Sequence, residues 1–400
     1  MAARLTIRFY ASIVLISTLS ACGGGGGSDS SSTGSTVPTP PTPPISFHCA
    51  NDSTCPEISI VGDPVATDAF RGLGDPSLEY DSDTDTLWMS YSWLDVIETS
   101  PLDPALINFG IRTHLAMSAD QGRSFQFVRA INVAAAENNP DNAQPGFAAH
   151  EVSTLVKGSL GQWQVLWLRY FDFAAGTGDR SDFRYQRTVA SDPAELGDAQ
   201  EDWIRGIGLS PSISVPHNLS LIPELADCTI YTEPALYANS TATYLATYCI
   251  VINAQGLRDE AAERLVLFRE ESNGYSYLGE LLNAADAVTL GVDKLEQADI
   301  STALDGSLLL IVTPIDNDAL PPHQGCVVFE IQDLETASVE RDANGNAIPR
   351  AIITGDGSGL GPGLCTYDSA SETGVILVIP TLSTTPLDAT FSMRATGIHP

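Results

Sequence analysis

Gly74-Asp75-Pro76-Ser77-Leu78, followed across a polar turn by Leu87-Trp88-Met89-Ser90-Tyr91, is the stretch on which the fold turns. A small or acidic opening leads into an apolar run, an Asp- and Thr-rich turn follows, and a second run carries aromatics. Short β-rich runs bounded by turn residues are the signature of strands. The unit returns as His150-Glu151-Val152-Ser153-Thr154-Leu155 through Leu166-Trp167-Leu168-Arg169-Tyr170, and as Thr232-Glu233-Pro234-Ala235-Leu236 through Tyr244-Leu245-Ala246-Thr247-Tyr248. A fourth copy runs from Ala298-Asp299-Ile300-Ser301 through Leu309-Leu310-Ile311-Val312-Thr313, and a fifth from Pro362-Gly363-Leu364-Cys365-Thr366 through Val375-Ile376-Leu377-Val378-Ile379.

Each pair is followed by further strand-like runs, such as Thr113–Ser118 with Phe125–Ile131 and Arg264–Arg269 with Tyr275–Leu281. Helical periodicity is confined to brief stretches near Pro193–Asp202 and Asp259–Arg264. Self-similarity at roughly 60–80 residues is the mark of a repeat architecture. The expectation is an all-β chain: a five-bladed β-propeller with four-stranded blades. Since the fifth copy lacks an obvious last strand, Glu57–Val61 is expected to supply it and close the ring, leaving few exposed edges.

Upstream of the repeats the composition changes. Arg4 and Arg8 precede an apolar stretch, Phe9–Leu19, that is short for a membrane span and reads as an export signal. Leu19-Ser20-Ala21-Cys22 resembles the bacterial lipobox, which implies cleavage before Cys22 and acylation of that cysteine. Gly23 at the next position favours outer-membrane sorting. Residues 22–45 are almost wholly Gly, Ser, Thr and Pro, too poor in apolar side chains to offset the entropy of ordering them. The expected organisation is a signal peptide over 1–21, a flexible tether over 22–45 and the propeller over 46–400, in an exported, lipid-anchored monomer.

A formal charge of −31 with only two lysines, Lys157 and Lys294, argues against nucleic acid, whose phosphates would be repelled. It leaves neutral sugars or cations as ligands, and membrane contact through the lipid anchor alone. No dinucleotide fingerprint, phosphate loop, nucleophile elbow or His-Glu-x-x-His run occurs. Beyond Cys22 there are six cysteines, an even number that favours disulfides in an oxidising compartment. The expected pairs are Cys49–Cys55, Cys228–Cys249 and Cys326–Cys365. None has the close spacing of a zinc site.

Ser118-Ala119-Asp120-Gln121-Gly122-Arg123-Ser124-Phe125 resembles the Asp box of sialidase-type propellers. The expected mechanics are structural: the carboxylate accepts backbone N–H groups, Gly122 takes an unusual φ, and Phe125 packs inward.

In a propeller the first strand of each blade lines the central channel. Asp75, Glu151, Glu233 and Asp299 are therefore expected at one repeat position around one axis, with Gly361 fifth. Carboxylates gathered there cannot all ionise at their free pKa values, which supplies an acid and a base near neutral pH, as glycoside hydrolysis requires. Asp75-Pro76 in the first unit and Glu233-Pro234 in the third resemble the catalytic motifs of five-bladed family 43 glycoside hydrolases. That resemblance implies Asp75 as general base, Glu233 as general acid and a second-unit carboxylate, here Glu151 instead of Asp, tuning the pair. Phe70-Arg71 before Pro76 resembles the Phe-Arg-Ile-Pro element of sialidases, whose arginine binds a substrate carboxylate, although the proline here follows by five residues instead of two. A true sialidase would also bring Arg71, Arg169 and Arg394 together. Arg71, His150, Asp299, Trp93 and Phe171 are the candidate ligand-contacting residues, with Ca²⁺ a candidate occupant of the channel. The leading expectation is a surface-anchored carbohydrate-active propeller hydrolysing glycans. Its alternative is a non-catalytic module of the cell envelope that binds a ligand or a protein.

Overall fold

The computed structural model describes residues 43–49, 53–63, 71–99, 107–173, 180–319, 322–355, 363–381 and 390–400. The expected signal peptide, Cys22 and nearly all of the tether lie outside them, as does Gly361.

Among the described residues the chain is built from 23 strands and one short α-helix. After β1 (Ile45–His48) and β2 (Ser59–Val61) comes a first antiparallel meander, β3 (Arg71–Asp81), β4 (Thr86–Thr99), β5 (Ile107–Ser118) and β6 (Ser124–Ala130). A second sheet runs through β7 (Ala136–Asn138), β8 (Pro145–Lys157), β9 (Trp163–Phe173), β10 (Arg180–Ala190) and β11 (Glu201–Arg205). The third comprises β12 (Cys228–Ala238), β13 (Thr243–Val251), β14 (Arg264–Glu271) and β15 (Gly274–Asn283), and α1 (Ala284–Thr289) leads out of it. A fourth holds β16 (Lys294–Thr302), β17 (Leu308–Ile315), β18 (Cys326–Asp333), β19 (Ser338–Val339) and β20 (Pro349–Thr354). The last meander, β21 (Gly363–Thr366), β22 (Ile376–Thr381) and β23 (Thr390–Ala395), joins the first through parallel pairing of Thr390 and Phe391 with Arg71 and Gly72.

The second strands explain how the sheets stack. β9, β13 and β17 are buried along almost their whole lengths. Apolar residues on both faces of a strand are stable only when a neighbouring layer covers each face. The buried clusters accordingly straddle sheet boundaries: Leu166 and Tyr170 pack in one cluster with Leu245 and Val266, and Leu267 in another with Leu310 and Phe329.

The first strands touch in cyclic order, β3 with β8, β8 with β12, β12 with β16, β16 with β21 and β21 with β3. Side chains tie them together. Ser77 Oγ accepts from the Leu155 amide at 3.1 Å, Thr154 Oγ1 from Leu236 at 2.8 Å, and Thr366 Oγ1 from Leu78 at 3.2 Å. Asp299 accepts from the Tyr367 amide at 3.4 Å and from the Thr366 hydroxyl at 2.6 Å. Ala235 holds the matching place in the third unit and offers no acceptor, and there Asp299 takes the amide of its own neighbour Ile300.

The N-terminal segment differs from the expected single closing strand. β1 pairs in parallel with β20. The Ile58 amide then donates to Met393 O at 2.9 Å and Ala395 to Pro56 O at 3.0 Å, adding a short antiparallel edge to β23. Ser59–Val61 passes on to pair in parallel with Ser124–Gln126 of β6. Glu57–Val61 is thus divided between the last meander and the first. The physical cause is Pro56 and Gly62, the latter at φ +84°, which leave only a short run able to pair with either edge.

All three expected disulfides are present, Cys49–Cys55, Cys228–Cys249 and Cys326–Cys365, the last joining β18 to β21. The 118–125 turn behaves as expected of it. Asp120 accepts from the Ser124 amide at 3.0 Å and from the Ser118 and Ser124 hydroxyls, Gly122 sits at φ +87°, and Phe125 is buried. The two stretches with helical character are single 3₁₀ turns, Pro193–Glu195 and Glu260–Ala262.

Candidate active site

Every first strand carries a bulge, and the bulges assemble the site. Pairing slips between Gly74 and Ser77, Glu151 and Thr154, Thr232 and Ala235, Glu296 and Asp299, and Gly363 and Cys365. In the first four, the first bulged residue takes a left-handed conformation: Asp75 at φ +46°, Val152 at +51°, Glu233 at +56° and Gln297 at +55°. Positive φ on a non-glycine residue costs on the order of 1–3 kcal/mol and persists only where the surroundings enforce it. Here the bulge re-aims the side chain relative to the regular strand alternation.

This register corrects the expected equivalence. Asp75 and Glu233 do share a repeat position, but their partners are Val152 and Gln297. Glu151 stands one residue earlier, in the place also held by Glu296. Asp299 stands two residues later than Gln297, in the row of Ser77, Thr154, Ala235 and Thr366. Its carboxylate links neighbouring first strands through Thr366 and Tyr367, and the residue also lines the cavity between them. Burial pushes it up to about 7.

Asp75, Glu151 and Glu233 are brought together. The Val152 amide donates to Asp75 Oδ2 at 3.2 Å and to Ser92 Oγ at 3.1 Å, which sets Asp75 beside the residue that follows Glu151. Burial, with the Glu151 charge next, raises Asp75 to about 7. Glu151 is itself raised by burial, opposed by Arg180 at 4.0 Å and by the Tyr170 hydroxyl. Arg180 lies over the Tyr170 ring at 4.5 Å and also reaches Asp172, which burial lifts to about 6. Glu233 is held well above the carboxylate range by burial and by the charges of Glu296, Asp75 and Glu151, against the opposing pull of Lys294. Its Oε2 is shut from solvent and has no hydrogen-bond partner among the described residues.

The cavity between the first strands is lined by Asp75, Val152, Pro234, Gln297 and Asp299 and holds about 20 Å³, room for a single water. A sugar ring would have to lie at its mouth, where Glu151 and Glu233 are only half-buried. Among the described residues no group of three or more His, Cys, Asp or Glu side chains is arranged to hold a metal.

The remaining candidates fall away from the site. His150 is buried and accepts from the Trp167 indole at 3.0 Å; burial and the nearby Arg169 and Arg184 lower it to about 3, which keeps it neutral. Strand alternation sends it to the face opposite Glu151. Trp93 is buried with Arg112 4.9 Å from its ring centre and His114 stacked at 5.4 Å. Phe171 is fully buried against Phe173. Both are core aromatics instead of sugar platforms. Arg71 opens β3 opposite Asp95. Arg169 pairs with Glu137 and Asp182, whereas Arg394 faces Glu57 at the outer edge of the last meander, so those two arginines do not converge.

Sequence reasoning missed Glu296, Lys294, Arg180 and Asp172, and it set Tyr170 behind Trp93 and Phe171. A signal for Glu296 was present: the bulge pairs Asp75-Pro76, Val152-Ser153, Glu233-Pro234 and Gln297-Ala298 all end in proline or a small residue. Alignment on that second residue sets Glu296 beside Glu151.

No family model matches the sequence, and no curated protein matches it. Among solved structures, the chain is similar to a family 117 glycoside hydrolase from the marine bacterium Zobellia galactanivorans, at 10% identity over 86% of this chain and 91% of that one, with a TM-score of 0.49. It is similar to an α-L-arabinofuranosidase from Lactobacillus brevis at 12% identity, covering 82% and 92% at a TM-score of 0.43. A GH43_1 enzyme from Xanthomonas citri complexed with xylotriose matches at 10% identity, covering 85% and 90% at a TM-score of 0.45. At TM-scores below 0.5 these likenesses carry no argument about the reaction of this chain.

Proposed function

We propose that the chain is a carbohydrate-active, five-bladed propeller that hydrolyses glycosidic bonds at the mouth of its channel. The observation that carries the reading is the pairing of Asp75 with Glu233 at one bulge position, with the Glu233 Oε2 buried and unpartnered. A protonated carboxyl there lacks an acceptor until a ligand oxygen arrives. Glu233 would give its proton to the leaving glycosidic oxygen as the bond to the anomeric carbon breaks. Asp75, ionised in part near neutral pH, would take the proton of the water that adds to that carbon. Glu151, steadied by Arg180 and Tyr170, raises the proton affinity of both. The cyclic order of first-strand contacts and the linked row Ser77, Thr154, Asp299 and Thr366 support five blades around one axis.

The test is hydrolysis of a panel of chromogenic glycosides and plant or microbial polysaccharides by the full chain, beside Asp75→Asn and Glu233→Gln. Activity falling at least a hundredfold in both variants is expected. Unchanged activity in both would discard the assigned roles. No turnover by folded protein would favour the non-catalytic binding module. The chain is further proposed to be exported and acylated at Cys22; incorporation of labelled palmitate should vanish in Cys22→Ala, and label retained in that variant would refute the anchor.

A further inference from the structure

We propose that Glu296, clamped between Lys294 and Arg258, is a positioning residue that keeps the proton on Glu233 until a ligand oxygen receives it. The inference deepens the hydrolytic reading, but its test does not depend on turnover.

Glu233 lies in the bulge of β12 and Glu296 immediately before the bulge of β16, and these two strands pack side by side. Lys294 Nζ is 3.5 Å from Glu296 Oε2, and Arg258 Nη2 is 3.7 Å from the same oxygen. Arg258 is held in turn by the fully buried Glu263 side chain, which also accepts from the Tyr248 hydroxyl at 3.1 Å. The two cations therefore fix Glu296 in place.

The charged and titratable groups that act on Glu233 come from three other first strands and from β10. Asp75 approaches from β3, Glu151 from β8, the Tyr185 hydroxyl from β10, and Glu296 and Lys294 from β16. His323, half-buried beyond β17, feels the charges of Glu296 and Lys294. After burial itself, Glu296 contributes most to holding the proton on Glu233. Lys294 is the single opposing cation in that set, and its pairing with Glu296 engages it. An isolated carboxylate whose buried oxygen lacks a donor is costly as an anion, which pushes in the same direction. Removing the Glu296 charge would both delete a repulsion and release the Lys294 ammonium toward Glu233.

The experiment is pH-difference infrared spectroscopy of the full chain in detergent. The protonated carboxyl band of Glu233 is assigned by its loss in Glu233→Gln. In Glu296→Gln the midpoint of that band should fall by roughly one pH unit, and in Lys294→Met it should rise. A merely structural pair would lower Tm in both variants and move neither midpoint. An unmoved Glu233 midpoint in either folded variant overturns the proposal. A midpoint that moves in a protein hydrolysing no glycoside refutes the hydrolytic reading and leaves the positioning role standing. Where turnover is found, the alkaline limb of kcat/KM must shift with the band.

Discussion

At the scale of the residue, one hydroxyl or carboxylate on each first strand but the third holds the next strand's amide. Thr154 illustrates what that is worth. Its Oγ1 is the acceptor for the Leu236 amide, and both residues are buried. Thr154→Val keeps the shape and removes the acceptor, so stability should fall by about 1–3 kcal/mol, the cost of stranding a buried donor. Chemical denaturation measures it, and an unchanged midpoint would mean that water serves the amide instead. The row also explains Asp299: with alanine at 235, the Ile300 amide needs another acceptor, and a carboxylate at 299 reaches both it and Tyr367. An acidic residue at the head of a repeat therefore looked like a ligand contact in sequence while serving the backbone. Asp75 and Glu233 were legible because each stands directly before a proline. Glu151 was found although its alignment was off by one residue, since one step along a bulged strand changes which side chain faces the axis.

At the scale of the element, the strands were readable and their edges were not. Alternation and turn residues locate the first and second strands of every repeat to within a few residues, because those runs are buried and so must be apolar. The short edge pieces β1 and β2 carry little such signal. Residues 45–48 and 56–61 run along β20, β23 and β6, in two sheets, covering edges that would otherwise offer open ladders to another chain. Nothing in a stretch of three or four residues says which of several edges it will pair with; that depends on where the edges stand. The aromatics Trp93 and Phe171 were misjudged for a related reason. A large ring on a second strand satisfies burial and ligand stacking equally well in sequence, and only the layer that covers it distinguishes the two.

At the scale of the whole molecule, acidity sets the pH response. Asp75 is raised from 3.8 to about 7, Asp299 from 3.8 to about 7 and Glu79 from 4.5 to about 8. In that window the folded chain binds protons that the unfolded chain has released, so stability falls as pH rises. His150, lowered by burial, acts in the opposite sense only below about 6.5, where the unfolded imidazole charges. Between about pH 6.5 and 8 these raised carboxylates give up the protons that folding holds on them, and Tm should decline across that range. Added salt should recover part of the loss, because a chain of formal charge −31 repels itself. Thermal unfolding at both pH values, with and without salt, checks this; a Tm that climbs toward pH 8 would contradict the assigned shifts.

The sequence by itself determined the all-β class, the repeated unit, the disulfide pairs and the shared repeat position of Asp75 and Glu233, because burial, turn chemistry and repetition are written in local residue patterns. Only the tertiary structure decided the bulge register, the partners of β1 and β2 and the ion pairs around Glu296. Those depend on distances between strands far apart in the chain, and such distances leave no local mark on composition or periodicity.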